Sequence, residues 1–164
     1  MTLEPEVLRA DERTMIEAFL DEQRAGLRDA LDGLTEEQAR RRLVPSATTL
    51  LGLVKHAVFV ERVWSEEAVL RRPRAELGLP EVAGESFLLT EDDTVASVLA
   101  AHDAACATAR AIHAAVALED LVEGNRRGPL RLRWVQLHLL RELAQHCGHA
   151  DILREQVLAE DARH

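Results

Sequence analysis

The chain has 164 residues, enough for one domain with its own core, and 47% of them are hydrophobic, an ordinary share for a globular protein. With 20 Lys and Arg against 29 Asp and Glu, the formal charge is −9, which argues against nucleic-acid binding because no basic face stands out to offset the repulsion of a phosphate backbone. Scarce aromatics and no tyrosine exclude an obvious sandwich or propeller, and Leu, Ala, Glu and Arg favour helix.

The first ten residues read as a lead-in without the basic and apolar regions of a signal peptide. Helical spacing of Ile16, Phe19, Leu20, Leu27 and Leu31 predicts a helix over Asp11 to Leu31, stopped by Gly33. Thr35-Glu-Glu-Gln38 has capping-box form and predicts a short helix from Thr35 to Arg42. Pro45 breaks the chain, and Ser46 or Thr48 is expected to cap a helix to Leu70 carrying Leu50, Leu53, Val54, Val58, Val60 and Trp64.

Residues 71–89 have the Pro, Gly and charge content of a loop. A loop that long is either functional or a crossover between helices. A third long helix is expected from Thr90 or Asp92 to Val116, with acidic residues in its first turn. Asn125 to Pro129 reads as a turn, and a fourth long helix runs from Leu132 to Leu158. No strand pattern competes. The fold class expected is all-α, a four-helix bundle with one short extra helix, in a single domain over residues 1–164.

The fourth helix carries the most informative pattern. At about 100° per residue, His138, Glu142, His146 and His149 fall within an arc of about 80°. Val135, Leu139, Leu153 and Val157 lie in or beside that arc, so the face is expected to point inward. Buried polar groups need partners or a metal. Residues of one helix line up rather than surround an ion, so a further ligand must come from a facing helix. His56, mid-helix near Leu53 and Phe59, is the best candidate; His102 and His113 read as surface or ordinary core residues, and His164 as a disordered terminus.

A His56, Glu142, His146 set offers two imidazoles and a carboxylate, which suits zinc first, then nickel or iron(II), with an open position for chemistry. There a metal can lower the pKa of bound water or a thiol. His149 and Asp151 are candidates for orienting ligands or moving protons, Asp151 equally for a solvated pairing with Arg154. The pattern is not His-Glu-x-x-His, and no nucleophile elbow, phosphate loop or dinucleotide fingerprint occurs. Cys106 and Cys147 lie in helical segments outside any Cys-x-x-Cys motif and read as small buried residues. With no apolar stretch of membrane-spanning length, a cytoplasmic protein is expected.

Three segments together carry a resemblance: Glu36-Glu-Gln-Ala-Arg-Arg-Arg-Leu-Val-Pro45, then Leu-Leu-Gly-Leu-Val-Lys-His56 followed by Val-Glu-Arg-Val-Trp64, and Arg141-Glu-Leu-Ala-Gln-His-Cys-Gly-His-Ala-Asp-Ile-Leu-Arg-Glu155. The chain resembles the DinB-like superfamily, more narrowly its actinobacterial branch. The resemblance implies an up-down-down-up four-helix bundle with a core metal, often assembled as a homodimer. The common ligand triad there is one His on the second helix and His-x-x-x-His on the fourth. Here the pair is Glu142-x-x-x-His146, which looks like the His, Glu, His pattern of relatives of mycothiol-dependent maleylpyruvate isomerase.

That likeness implies His56, Glu142 and His146 as ligands, with His149 adjacent. It also implies a thiol cofactor such as mycothiol, bacillithiol or glutathione attacking a small electrophile. Arg141 and Arg154 are candidates for binding an acidic substrate or cofactor, and Trp64 for lining the pocket. The chain lacks the extra C-terminal domain of the isomerases, so the isomerase reaction is not carried over. The leading expectation is a metal-dependent thiol S-transferase or isomerase. The alternatives are a non-catalytic, dimeric, stress-related metal-binding bundle and a metal-hydroxide hydrolase.

Overall fold

A computed structural model describes residues 4–162; His164 lies outside them. The fold is mostly helical. Helix α1 spans Glu12–Asp29, α2 Glu36–Arg40, α3 Leu50–Arg62, α4 Arg74–Leu77, α5 Val95–Ala114 and α6 Leu132–Asp161. Short 3-10 turns cover Val7–Arg9 and Ala83–Phe87. The four long helices pack on one another, α1 against α6 and α3 against both α5 and α6. Leu20, Leu27, Leu53, Val54, Leu139, Leu143 and Val157 form part of one buried apolar cluster between them.

Local chemistry explains most boundaries. Thr14 N donates to the Asp11 carboxylate, which caps α1 close to the start that helical spacing predicts, while the helix ends two residues short of Leu31, at Asp29. Gly33 ends the turn after α1 at φ 71°, a conformation glycine adopts without strain. Thr35 and Gln38 close a reciprocal capping box on α2, which is shorter than expected and ends at Arg40. The expected caps of α3 are corrected to Thr49, whose Oγ1 accepts from Gly52 N at 2.9 Å.

The start of α5 is likewise corrected, to Thr94. Thr94 and Ser97 cap each other, and no acid lies in the first turn. Asp93 is engaged instead by Thr90 N and by Lys55 Nζ, at 2.6 and 2.7 Å.

The helix expected to reach Leu70 stops being α-helical after Arg62. Val63–Glu67 widen into a π turn, with Ala68 N donating to Val63 O at 2.9 Å and Ser65 Oγ to Glu61 O at 2.6 Å. The expectation of no strand is also corrected. Leu121 pairs with Arg131 and Val122 with Leu130 in a small antiparallel ladder. Its connecting turn uses Gly128 at φ 87°, and Asn125 Nδ2 donates to Gly128 O.

The interior also holds polar residues that helical periodicity passes over. Arg24 Nε and Nη2 donate to the two oxygens of Glu61 at 2.7 and 3.0 Å, and both residues are buried. His102 and His113 are buried as well, His102 with its Nε2 3.6 Å from Cys106 Sγ.

Candidate metal centre

Two helices and one loop build the site. His56 comes from the middle of α3, while Glu142 and His146 lie one turn apart on α6, which packs on α3. One ligand-capable atom from each of the three lies within 4.8 Å of the others. The His56 and His146 rings meet edge to face, with centroids 4.7 Å apart.

The face of α6 is less inward than the sequence suggests. Leu139, Leu143, His146, Ala150 and Leu153 make its buried line; His138 and Glu142 are half-buried, and His149 is exposed. The histidine stripe therefore runs along a flank of the buried face, so only its middle reaches the core.

The 71–89 segment supplies what the helices lack. Its 3-10 turn packs on α3. A Cβ on Gly52 would meet Phe87 O at 2.7 Å, so glycine permits this close approach one helical turn before His56. Phe87 then stacks on the His56 ring at 3.9 Å. Ser86 Oγ lies 2.6 Å from His56 Nδ1 and donates its proton to Ala83 O. The hydroxyl oxygen is thus left to accept from His56 Nδ1–H, which leaves Nε2 with the free lone pair, the form a metal requires.

Burial, and next the neighbouring His146, pushes the His56 pKa down to about 4, and burial lowers that of His146 too. Both rings are therefore neutral near pH 7. Among the described residues, His146 Nδ1 is buried with no hydrogen-bond partner, an omission that costs about 1–3 kcal/mol unless something binds there. Two neutral imidazoles, one carboxylate and an orphaned ring nitrogen fit a divalent metal.

Around this set, His138 lies edge-on to Trp64 and stacked on Trp134, with centroids at 4.5 and 4.9 Å. Arg141 Nη2 donates to His138 Nδ1 at 3.1 Å and to Glu142 Oε1 at 2.9 Å, so its guanidinium rests on the candidate ligand carboxylate. Arg154 Nη1 donates to Ala30 O at 2.9 Å, and Asp151 is exposed on the outer side of α6. The His149 ring is 5.7 Å from that of His146 and borders a largely apolar hollow of about 280 Å³ with Val44, Ser46, Thr48, Ile152 and Leu153.

Neither cysteine is poised as a nucleophile. Burial pushes the thiol of Cys106 up to about 12 and that of Cys147 up to about 11.

Sequence reasoning missed Ser86 and Phe87, which touch His56 from a distant loop. Only indirect signals pointed to them, namely the length of that loop and the glycine one turn before His56.

A search of curated proteins returned no significant match. The sequence model of the mycothiol-S-transferase family matches residues 15–159, a span that takes in the clustered histidines and the glutamate; the chain therefore belongs to the mycothiol-S-transferase family, within the DinB-like superfamily.

Proposed function

We propose that this chain is a divalent-metal-dependent S-transferase that joins a low-molecular-weight thiol, mycothiol by the family's name, to a small electrophile. The carrying observation is the convergence of His56, Glu142 and His146 from two packed helices, with a buried ring nitrogen left unpartnered. On this reading those three residues hold the metal, zinc in the first instance and nickel or iron(II) otherwise. When bound, the metal supplies a Lewis acid that makes a thiolate available near neutral pH.

The chain's own groups have separable roles. Ser86 holds the His56 tautomer, Phe87 covers the ring from water, and Arg141 with His138 steadies the Glu142 carboxylate. In the transfer the thiol loses its proton, a sulfur–carbon bond forms, and the leaving group departs with the pair of electrons from the broken bond. His149, exposed beside the apolar hollow, is our candidate for taking the proton; Asp151, about 200° away round the helix, faces the other side of α6 and is given no part in the step.

We further propose a single domain with up-down-down-up four-helix topology, a homodimeric assembly and a cytoplasmic location. No helix among the described residues is long and apolar enough to cross a membrane.

The test is elemental analysis of protein purified without chelators or an affinity tag, beside His56→Ala, Glu142→Ala and His146→Ala. About one equivalent of metal per chain, lost in each variant, and thiol-dependent consumption of an electrophile by the loaded protein support the reading. Folded protein that takes up no zinc, nickel or iron(II) would turn the cluster into a buried polar network and favour a non-catalytic role. Turnover of esters without thiol would instead favour a hydrolase.

A further inference from the structure

A second hollow, of about 280 Å³, opens beside the π turn that follows α3. Trp64, Glu67, Arg74, Asn125, Arg126 and Arg127 line it. Its lining carries three guanidiniums and one carboxylate, a positive balance in a chain whose net charge is −9.

The charges are not equally matched. Arg74 Nε is bound to Glu67 at 2.8 Å, and both side chains are largely enclosed. Arg126 donates to the backbone oxygen of Glu81, and Arg127 lies over the Trp134 ring at 5.8 Å. Among the described residues, neither of these two exposed guanidiniums meets a carboxylate.

The hollow is built rather than incidental. Gly124 N donates to Ala68 O at 2.9 Å, and a Cβ there would collide with the backbone oxygen of Glu67. This close backbone contact docks the hairpin onto the π turn and holds the loop bearing Arg126 and Arg127 at the hollow that Trp64 also lines. Within that loop, Asn125 Oδ1 accepts from Arg127 N at 2.8 Å.

Its position links it to the metal centre along two routes. Trp64 touches His138, whose Nε2 is 3.8 Å from Glu142 Oε1. Arg74 lies over Phe59 at 5.4 Å, and Phe59 in turn stacks on His56 at 5.9 Å. The hollow is thus one layer of side chains away from two of the three candidate ligands.

We propose that this hollow is the subsite for an acidic electrophile, taking its carboxylate on Arg126 and Arg127 and its planar apolar portion against Trp64. The proposal rests on the transferase reading for the word electrophile, but the carboxylate site itself does not. Guanidiniums bind carboxylates through paired, charge-assisted hydrogen bonds, and an indole offers an apolar wall beside them.

The first measurement needs neither metal nor thiol. Trp134→Phe leaves Trp64 as the one tryptophan of a chain that has two. Saturable quenching of its fluorescence by benzoate, with benzamide much weaker, is expected. Adding Arg126→Ala and Arg127→Ala is expected to weaken benzoate by about tenfold or more, as loss of a charge-assisted contact implies. Circular dichroism checks that this variant is folded. Benzoate binding no better than benzamide, or unchanged in the arginine variant, overturns the proposal.

The second measurement identifies the source of the carboxylate. In metal-loaded enzyme, the KM of an aromatic carboxylic electrophile should rise about tenfold relative to that of its methyl ester when Arg126 and Arg127 are replaced. A rise confined to the KM of the thiol overturns the assignment to the electrophile. Benzoate binding that persists in a protein with no transferase activity counts against the reading of the metal centre and not against the carboxylate site.

Discussion

Ser86 shows how much one hydroxyl can govern. Its proton is committed to Ala83 O, so its oxygen faces His56 Nδ1 as an acceptor and selects the tautomer with Nε2 free. Partners of this kind typically change metal affinity by about 10–100-fold when removed. Ser86→Ala is therefore expected to weaken zinc binding by about that factor while leaving the fold intact, measured by competition with a chromophoric chelator. Unchanged affinity would show that the hydroxyl has no hold on the ligand. Nothing within the sequence around His56 names Ser86, because the two are 30 residues apart and meet only when the loop packs.

Helix α3 and its neighbouring loop pose an opposite pair of demands at Gly52. Inside a helix, alanine is favoured over glycine by about 1 kcal/mol. Here an added Cβ would press on the Phe87 carbonyl oxygen, a backbone atom that cannot swing aside. Gly52→Ala is expected to destabilise the protein by about 1–3 kcal/mol, as overpacking does. It should also loosen Phe87 from His56. Urea denaturation with and without zinc reads both effects, and a more stable variant would mean that the loop shifts at little cost. The π turn obeys the same lesson. Helical periodicity extended α3 to Leu70, but the buried Glu61–Arg24 pair and the Ser65 hydrogen bond to Glu61 O accompany a local widening that no hydrophobic pattern encodes. Removing one partner of such a buried pair is far costlier than its net contribution suggests, because the other charge stays behind.

Across the whole molecule, the buried histidines set an acid limit. Burial pushes His102 and His113 down to about 4, from an ordinary value of 6.5. Between those values the unfolded chain binds protons that the folded chain refuses, so stability is full above about pH 6.5 and falls as pH drops toward 4. Each such group contributes a slope of at most about 1.4 kcal/mol per pH unit in that window. Urea unfolding of metal-free protein should show this decline, and His102→Gln with His113→Gln should make it shallower. A slope identical in the double variant would place the acid sensitivity elsewhere.

The same view of the molecule separates two kinds of information. Helix positions, the capping at Asp11 and Thr35, and the grouping of Glu142 with His146 follow from residues within a few positions of one another, so hydrophobic period and hydrogen-bonding side chains suffice to read them. His56 was accessible too, since a mid-helix histidine near Leu53 and Phe59 is expected to face the interior, and it is buried there. Three things were not readable in this way. Ser86 and Phe87 reach His56 by loop packing, Arg24 finds Glu61 across two helices, and Arg126 and Arg127 line a hollow with Trp64 because Gly124 lets a hairpin dock on the π turn. Local pattern specifies which face of a helix seeks the interior. Which distant side chains then meet there depends on how loops close and how backbones approach, and those are set by packing among segments far apart in the chain.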